Sequence, residues 1–196
     1  MGITTGMLIF DDAEELDFVG PWEVFTMARH IVPDDRVITI APTREPIRAA
    51  KGMRIIPDHS FADAPDLDVV LVPGGIGTRR EVNNPVLIDW LRKAGARCTW
   101  VTSVCTGSLL LHEAGFAEGR RVTTHWGFVS ALRERGAEVL ERVRYVRDGN
   151  LVTAAGVSAG IDMALWLVGQ IHGVSVARQV QRAMEYDPAP PYTAEV

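Results

Sequence analysis

The sequence predicts an α/β fold in which a mostly parallel sheet carries helices on both faces. Two observations carry the prediction. Strand-length apolar runs alternate with helix-length amphipathic ones almost throughout the 196 residues, the order that builds parallel strands joined by crossover helices. The run DVVLVPGG (68–75) is apolar at nearly every position until a glycine pair stops it, as befits a strand covered on both sides.

The elements follow in order. GMLIF (6–10) reads as the first strand and PWEVFTMARH (21–30) as the first helix, with Pro21 in its opening turn, where an amide has no partner to lose. VITIA (37–41) is the second strand. Residues 44–58 alternate in short pieces around Gly52, as in a hairpin. Beyond the 68–75 strand, PVLIDWLRKAG (85–95) places Val86, Leu87, Trp90 and Leu91 on one helical face, with Gly95 just past the helix end. CTWVTSV (98–104) is the next strand. TGSLLLHEAG (106–115) and WGFVSALRERG (126–136) read as helices stopped by glycine, and YVRDGNLVTAAG (145–156) as a hairpin around Asp148-Gly149-Asn150. AGIDMALWLVGQIHG (159–173) is apolar on nearly every face and is expected to be buried, with Asp162 capping or buttressing it. VSVARQVQRAMEY (174–186) then carries an apolar stripe. Residues 1–186 are expected to form one domain and 187–196 a Pro-rich tail.

Composition excludes several function classes. Hydrophobic residues make up 47% and charged residues 23%, with a net charge of -5, so no cationic surface for nucleic acid is expected. The arginines of RVRYVR (142–147) read as a solvated strand face. No run approaches the ~20 apolar residues of a membrane helix, and no signal peptide is visible, so a cytoplasmic protein without membrane contact is expected. In that reducing setting Cys98 and Cys105 are read singly, Cys98 as a packed, inert thiol. His30, His59, His112 and His172 lack partners at ligand spacing, so neither a metal nor a cofactor is expected.

Ligands of such sheets bind at the carboxyl ends of the strands, here after Phe10, Pro73 and Val104. In VTSVCTG (101–107) the strand ends on Cys105, at the first turn of a helix whose unpaired amides are expected to lower the thiol pKa. Gly107 and Ser108 leave that turn uncrowded. A core cysteine at a helix start is the alternative. Gly74-Gly75 would let backbone amides approach an anion. Asp17 is either a helix cap or an acid near the thiol, and Asp11, Asp12, Glu14 and Glu15 read as solvated loop residues.

The combination of FDDAEELDFVGPWEVF (10–25), LVPGG (71–75), VTSVCTG (101–107), TTHW (123–126) and AGIDMAL (159–165) resembles the ThiJ/PfpI superfamily, the single-domain relatives of class I glutamine amidotransferases. The likeness runs from about residue 5 to residue 186. It is strongest to the isonitrile hydratase branch and to the amidase-like domains of AraC-type regulators. The resemblance implies a flavodoxin-like three-layer sandwich with Cys105 on a nucleophile elbow, acting on a small molecule, usually as a homodimer. Thr106 stands where peptidase-like branches carry His, which weakens that reading. The resemblance further implies water addition to an isonitrile through a cysteine thioimidate. Cys105 would be the nucleophile and Asp17 the acid, with Thr106 and the amides of Gly75 and Ile76 holding polarised atoms, and with His125 and Trp126 as site walls. A stand-alone ligand-sensing domain and a glyoxalase or stress-response member are the alternatives. The regulators continue into a helix-turn-helix portion that these residues do not contain, and glyoxalase-like members generally pair the thiol with Glu.

Overall fold

The computed structural model describes residues 2–190 and 192. Of the tail expected over 187–196, residues 191 and 193–196 lie outside the described residues. The first half of the chain forms β1 (Thr4–Leu8), α1 (Glu15–Ala28), β2 (Arg36–Ala41), the short strands β3 (Ile47–Arg48), β4 (Arg54–Ile55) and β5 (His59–Ser60), then β6 (Val69–Val72), α2 (Thr78–Glu81) and α3 (Pro85–Gly95). The second half forms β7 (Trp100–Val104), α4 (Gly107–Glu113), β8 (Arg121–Val122), a 3-10 turn (Trp126–Phe128), α5 (Val129–Arg133), β9 (Glu138–Val139), β10 (Tyr145–Asp148), β11 (Leu151–Ala154), α6 (Ala159–His172) and α7 (Val174–Ala183).

One seven-stranded sheet runs β10-β11-β7-β6-β1-β2-β5. Every neighbouring pair is parallel except β10 with β11. The long parallel strands β2-β1-β6-β7-β11 stand in the flavodoxin-like order, and the direction of winding reverses between β1 and β6. Met7 pairs with Leu71, Val72 with Ser103 and Val104 with Ala154, so the carboxyl ends of four adjacent strands lie close together. Val69 to Val72, Val104, Val152 and Ala154 are sealed from solvent on both faces, which accounts for their unbroken apolar sequence. Helices α1, α6 and α7 pack on one another in one layer, and α3, α4 and the short α2 associate in the other. The hairpins are where the sequence places them: β3 and β4 pair around Gly52 (φ 102), and β10 and β11 around Gly149 (φ 59).

Several boundaries differ for physical reasons. Helix α1 begins at Glu15 rather than Pro21, so Pro21 lies inside it and withholds only the amide that would have met the Asp17 carbonyl. Glu15 and Asp17 suit the electropositive first turn. In α3 the Asn84 side chain accepts from the amides of Val86 (3.1 Å) and Leu87 (3.4 Å). That cap turns Val86 outward at 63% exposure, and Leu87, Ile88, Leu91 and Ala94 form the buried face instead. Gly95 is the last helical residue and not a stop. Any Cβ there would sit 2.6 Å from the Phe116 ring, so its role is close packing. The parallel pair β8 and β9 is too short to leave a period in the sequence. Asp162 buttresses α6, accepting from Arg144 and from the Tyr186 hydroxyl (2.8 Å). No helix among the described residues is long and apolar enough to cross a membrane.

Candidate active site

Cys105 sits directly after β7 with φ 58, a backbone region that an L-residue enters only when its surroundings enforce it. The enforcing contacts are visible. The Cys105 amide donates to the Ala154 carbonyl at 3.1 Å, and the Cys105 carbonyl accepts from Thr124 Oγ1 at 3.0 Å. Ser108 Oγ in turn donates to Thr124 Oγ1 at 2.9 Å. Gly107 is required because a Cβ there would lie 2.1 Å from the Val72 carbonyl oxygen. The elbow is therefore wedged between the ends of β6 and β11 and tied down by the TTHW segment.

Asp17 reaches this elbow from the first turn of α1 and is 0% exposed. It is not a helix cap. Its Oδ2 accepts from the Gly74 amide at 2.8 Å, while the Gly74 carbonyl accepts from the Glu14 amide at 2.9 Å, so Gly74 is clamped through both of its flanking peptide groups against the start of α1. Its Oδ1 is buried without a well-formed hydrogen bond, although the Cys105 thiol and the Val157 amide lie close enough to favour the ionised carboxyl. Loose alignment of this kind is usual before substrate arrives. Burial, aided by the charge of Glu14 and opposed by the Gly74 amide, raises the Asp17 pKa from 3.8 to about 7.

The thiol departs from the sequence expectation. Burial and then the neighbouring Asp17 charge push Cys105 up to about 12. The Thr106 amide and hydroxyl pull in the other direction without prevailing. The cysteine is 7% exposed, and α4 has only seven residues, so desolvation outweighs the field of a short helix. The resting sulfur is a neutral thiol beside a carboxyl that titrates near neutrality. Cys98 is packed as expected, its Sγ donating to the Ala94 carbonyl at 3.3 Å with its pKa pushed up to about 12 by burial.

The sulfur is not sealed in. It lines a cavity of about 210 Å3 together with Glu14, Gly75, Ile76, Arg79, Thr106, His125, Phe128 and Val157. The Gly75 amide is directed to Thr106 Oγ1 at 3.1 Å. Ile76 N–H has no partner among the described residues and is the amide of this loop left to meet a ligand. Thr106 Oγ1 joins elbow to loop, hydrogen-bonded to Thr78 Oγ1 at 3.1 Å and lying 3.3 Å from the Gly75 carbonyl. His125 forms a wall, its Nδ1 accepting from the Gly127 amide at 3.2 Å, so the neutral ring carries its proton on Nε2. Trp126 does not line this cavity. It is 83% exposed and contributes to a neighbouring one.

Four residues of the cavity carry no clear sequence signal. Glu14 is not a solvated loop residue; it lines the cavity and is paired with Lys51. Arg79 Nη1 donates to the Gly75 carbonyl at 2.7 Å, and its guanidinium lies 4.1 Å over the Phe128 ring, closing one side. Val157 has φ 46, a genuine outlier for a β-branched residue. Among the described residues no three His, Cys, Asp or Glu side chains converge as metal ligands.

Keeping Asp17 near neutrality has a stability consequence. Between about pH 4 and about pH 7 the folded chain holds more protons at Asp17 than the unfolded chain, so stability falls as pH rises across that window. Asp17→Asn retains an acceptor for the Gly74 amide and removes the titration. Its advantage over wild type in urea unfolding is expected to grow through that window to a few kcal/mol and stay constant above it.

Comparison with known proteins agrees with this architecture. The DJ-1/PfpI family matches residues 5–170. The isonitrile hydratase of Pseudomonas putida is 40% identical over 192 residues, covering 98% of this chain and 82% of that protein. The HTH-type transcriptional regulator CdhR of Pseudomonas aeruginosa is 35% identical over 136 residues, covering 69% of this chain and 40% of the regulator. Among solved structures, a THiJ/PfpI family protein from Pseudomonas syringae superposes with a TM-score of 0.93 at 33% identity, covering 100% of this chain and 80% of that one. With fold, elbow and sequence in agreement, the chain belongs to the DJ-1/PfpI family.

Proposed function

We propose that the protein adds water to an isonitrile, R–NC, to give the N-substituted formamide R–NH–CHO, with Cys105 as nucleophile. The observation that carries this reading is the buried Asp17 carboxyl beside a neutral thiol, the two groups holding one proton between them above about pH 7. The similarity to isonitrile hydratase supports it. The terminal carbon of an isonitrile accepts a soft nucleophile and becomes basic once attacked. A thiol with an adjacent proton carrier meets both demands in one site.

The Asp17 carboxylate takes the thiol proton as Sγ bonds to the terminal carbon, and delivers that proton to the same carbon. The product is the thioimidate R–N=CH–S–Cys105. Asp17 then draws a proton from water as its oxygen adds to this carbon, and the nitrogen gains that proton. The C–S bond breaks as the new hydroxyl loses its proton, which returns through Asp17 to sulfur. One water is consumed and nothing is oxidised or reduced. Ile76 N–H and the Thr106 hydroxyl would hold the polarised nitrogen and oxygen.

Incubation of wild-type protein with cyclohexyl isocyanide is expected to yield N-cyclohexylformamide, followed by nuclear magnetic resonance. Retention of the isocyanide without product would instead favour a ligand-sensing role, the reading consistent with the match to a transcriptional regulator.

A further inference from the structure

We propose that the larger cavity beside the cysteine pocket receives the R group of the substrate and selects aryl-sized apolar substituents. This rests on the isonitrile reading above. The cysteine cavity, at about 210 Å3, is smaller than the ~300–1,000 Å3 of ordinary ligand sites and suits only the reacting head group. Next to it lies a second cavity of about 390 Å3, and His125 and Val157 line both. A linear isonitrile approaching Sγ by its terminal carbon holds R away from the elbow, and the cysteine cavity shares its His125 and Val157 walls with the second one.

The second cavity has the composition of a recognition pocket for an apolar ring. Trp126, Val129, Val143 and Ala155 form its apolar walls, with Thr123, Thr124 and Arg142 among the polar residues that complete the lining. Trp126 is otherwise unaccounted for, a large indole at 83% exposure beside a reactive site, tilted against the His125 ring at 5.3 Å. An exposed aromatic face on a concavity is a platform for a flat ligand. Gly156 leaves the shared His125 wall uncrowded, because a Cβ there would approach His125 Cδ2 to 3.1 Å. The charge of Glu141 at the rim is met by Arg133 at 2.7 Å, so it does not demand a cationic ligand.

The test compares kcat/KM for phenyl isocyanide and methyl isocyanide in wild type, Val143→Trp and Trp126→Ala. Val143 lies in a surface loop and Trp126 is exposed, so neither change removes core packing. The phenyl-to-methyl ratio is expected to fall about tenfold in Val143→Trp, which fills the cavity, and about threefold in Trp126→Ala, which removes the platform. Unchanged ratios in both variants, with turnover intact, would overturn the subsite and leave the hydration reading standing. Should wild type turn over neither isocyanide, the hydration reading fails, and calorimetric binding of formanilide decides the subsite. Binding weakened about tenfold by Val143→Trp supports it, and absent or equal binding overturns it.

Discussion

Cys105→Ala is expected to lower formamide production by about 1,000-fold or more, because the thioimidate route has no other nucleophile. Cys98 cannot substitute: it is packed on the Ala94 carbonyl and is not among the residues lining the cavity. Folding should survive, since alanine deletes one sulfur at a position fixed mainly by backbone contacts with Ala154 and Thr124. A residual rate near that of wild type, measured on protein with an unchanged urea midpoint, would remove the sulfur from the reaction.

Asp17→Asn is expected to reduce kcat/KM by about 100- to 10,000-fold, the usual range for losing a positioned proton carrier. A second measurement separates this from mere damage to the site. The Asp17 charge is the second-largest influence raising the thiol pKa, so above about pH 7, where Asp17 is ionised, its removal lowers that pKa and leaves more thiolate. Alkylation of Cys105 by iodoacetamide should therefore become faster in Asp17→Asn while hydration becomes slower. A variant distorted at the elbow has no reason to move the two rates in opposite directions.

The parts legible in the sequence were those with a local cause. The turn from β7 into α4 announces itself through Gly107, which no larger residue could replace beneath the Val72 carbonyl. The crevice after β1, β6 and β7 follows from strand order, and Asp17 falls within reach because α1 starts beside that crevice. What escaped depends on tertiary contact. The protonation state of Cys105 escapes the sequence because the amides of a seven-residue helix can be counted there, whereas burial of the thiol cannot. A cap stays open beside the acid reading of Asp17 in the sequence because its partner, the Gly74 amide, lies 57 residues away. Glu14, Arg79, Phe128 and Val157 join the cavity through packing and through one unusual φ, none of which leaves a periodic trace. Trp126 reads as a site wall, yet it stands in solvent outside the cysteine cavity.

The proposed hydration requires the Cys105–Asp17 pair to work with a single proton between them, a state that dominates above about pH 7. Glu14, whose charge is met by Lys51, and the His125 and Arg79 side chains complete the polar surroundings of the thiol. The direct measurement is kcat/KM for an isocyanide from about pH 5 to about pH 9 in wild type and Asp17→Asn. The expected wild-type profile rises about tenfold per pH unit to a plateau beginning near 7, and this rise disappears in the variant. A wild-type rate that is flat through neutrality, or that falls as Asp17 ionises, would contradict the shared-proton mechanism.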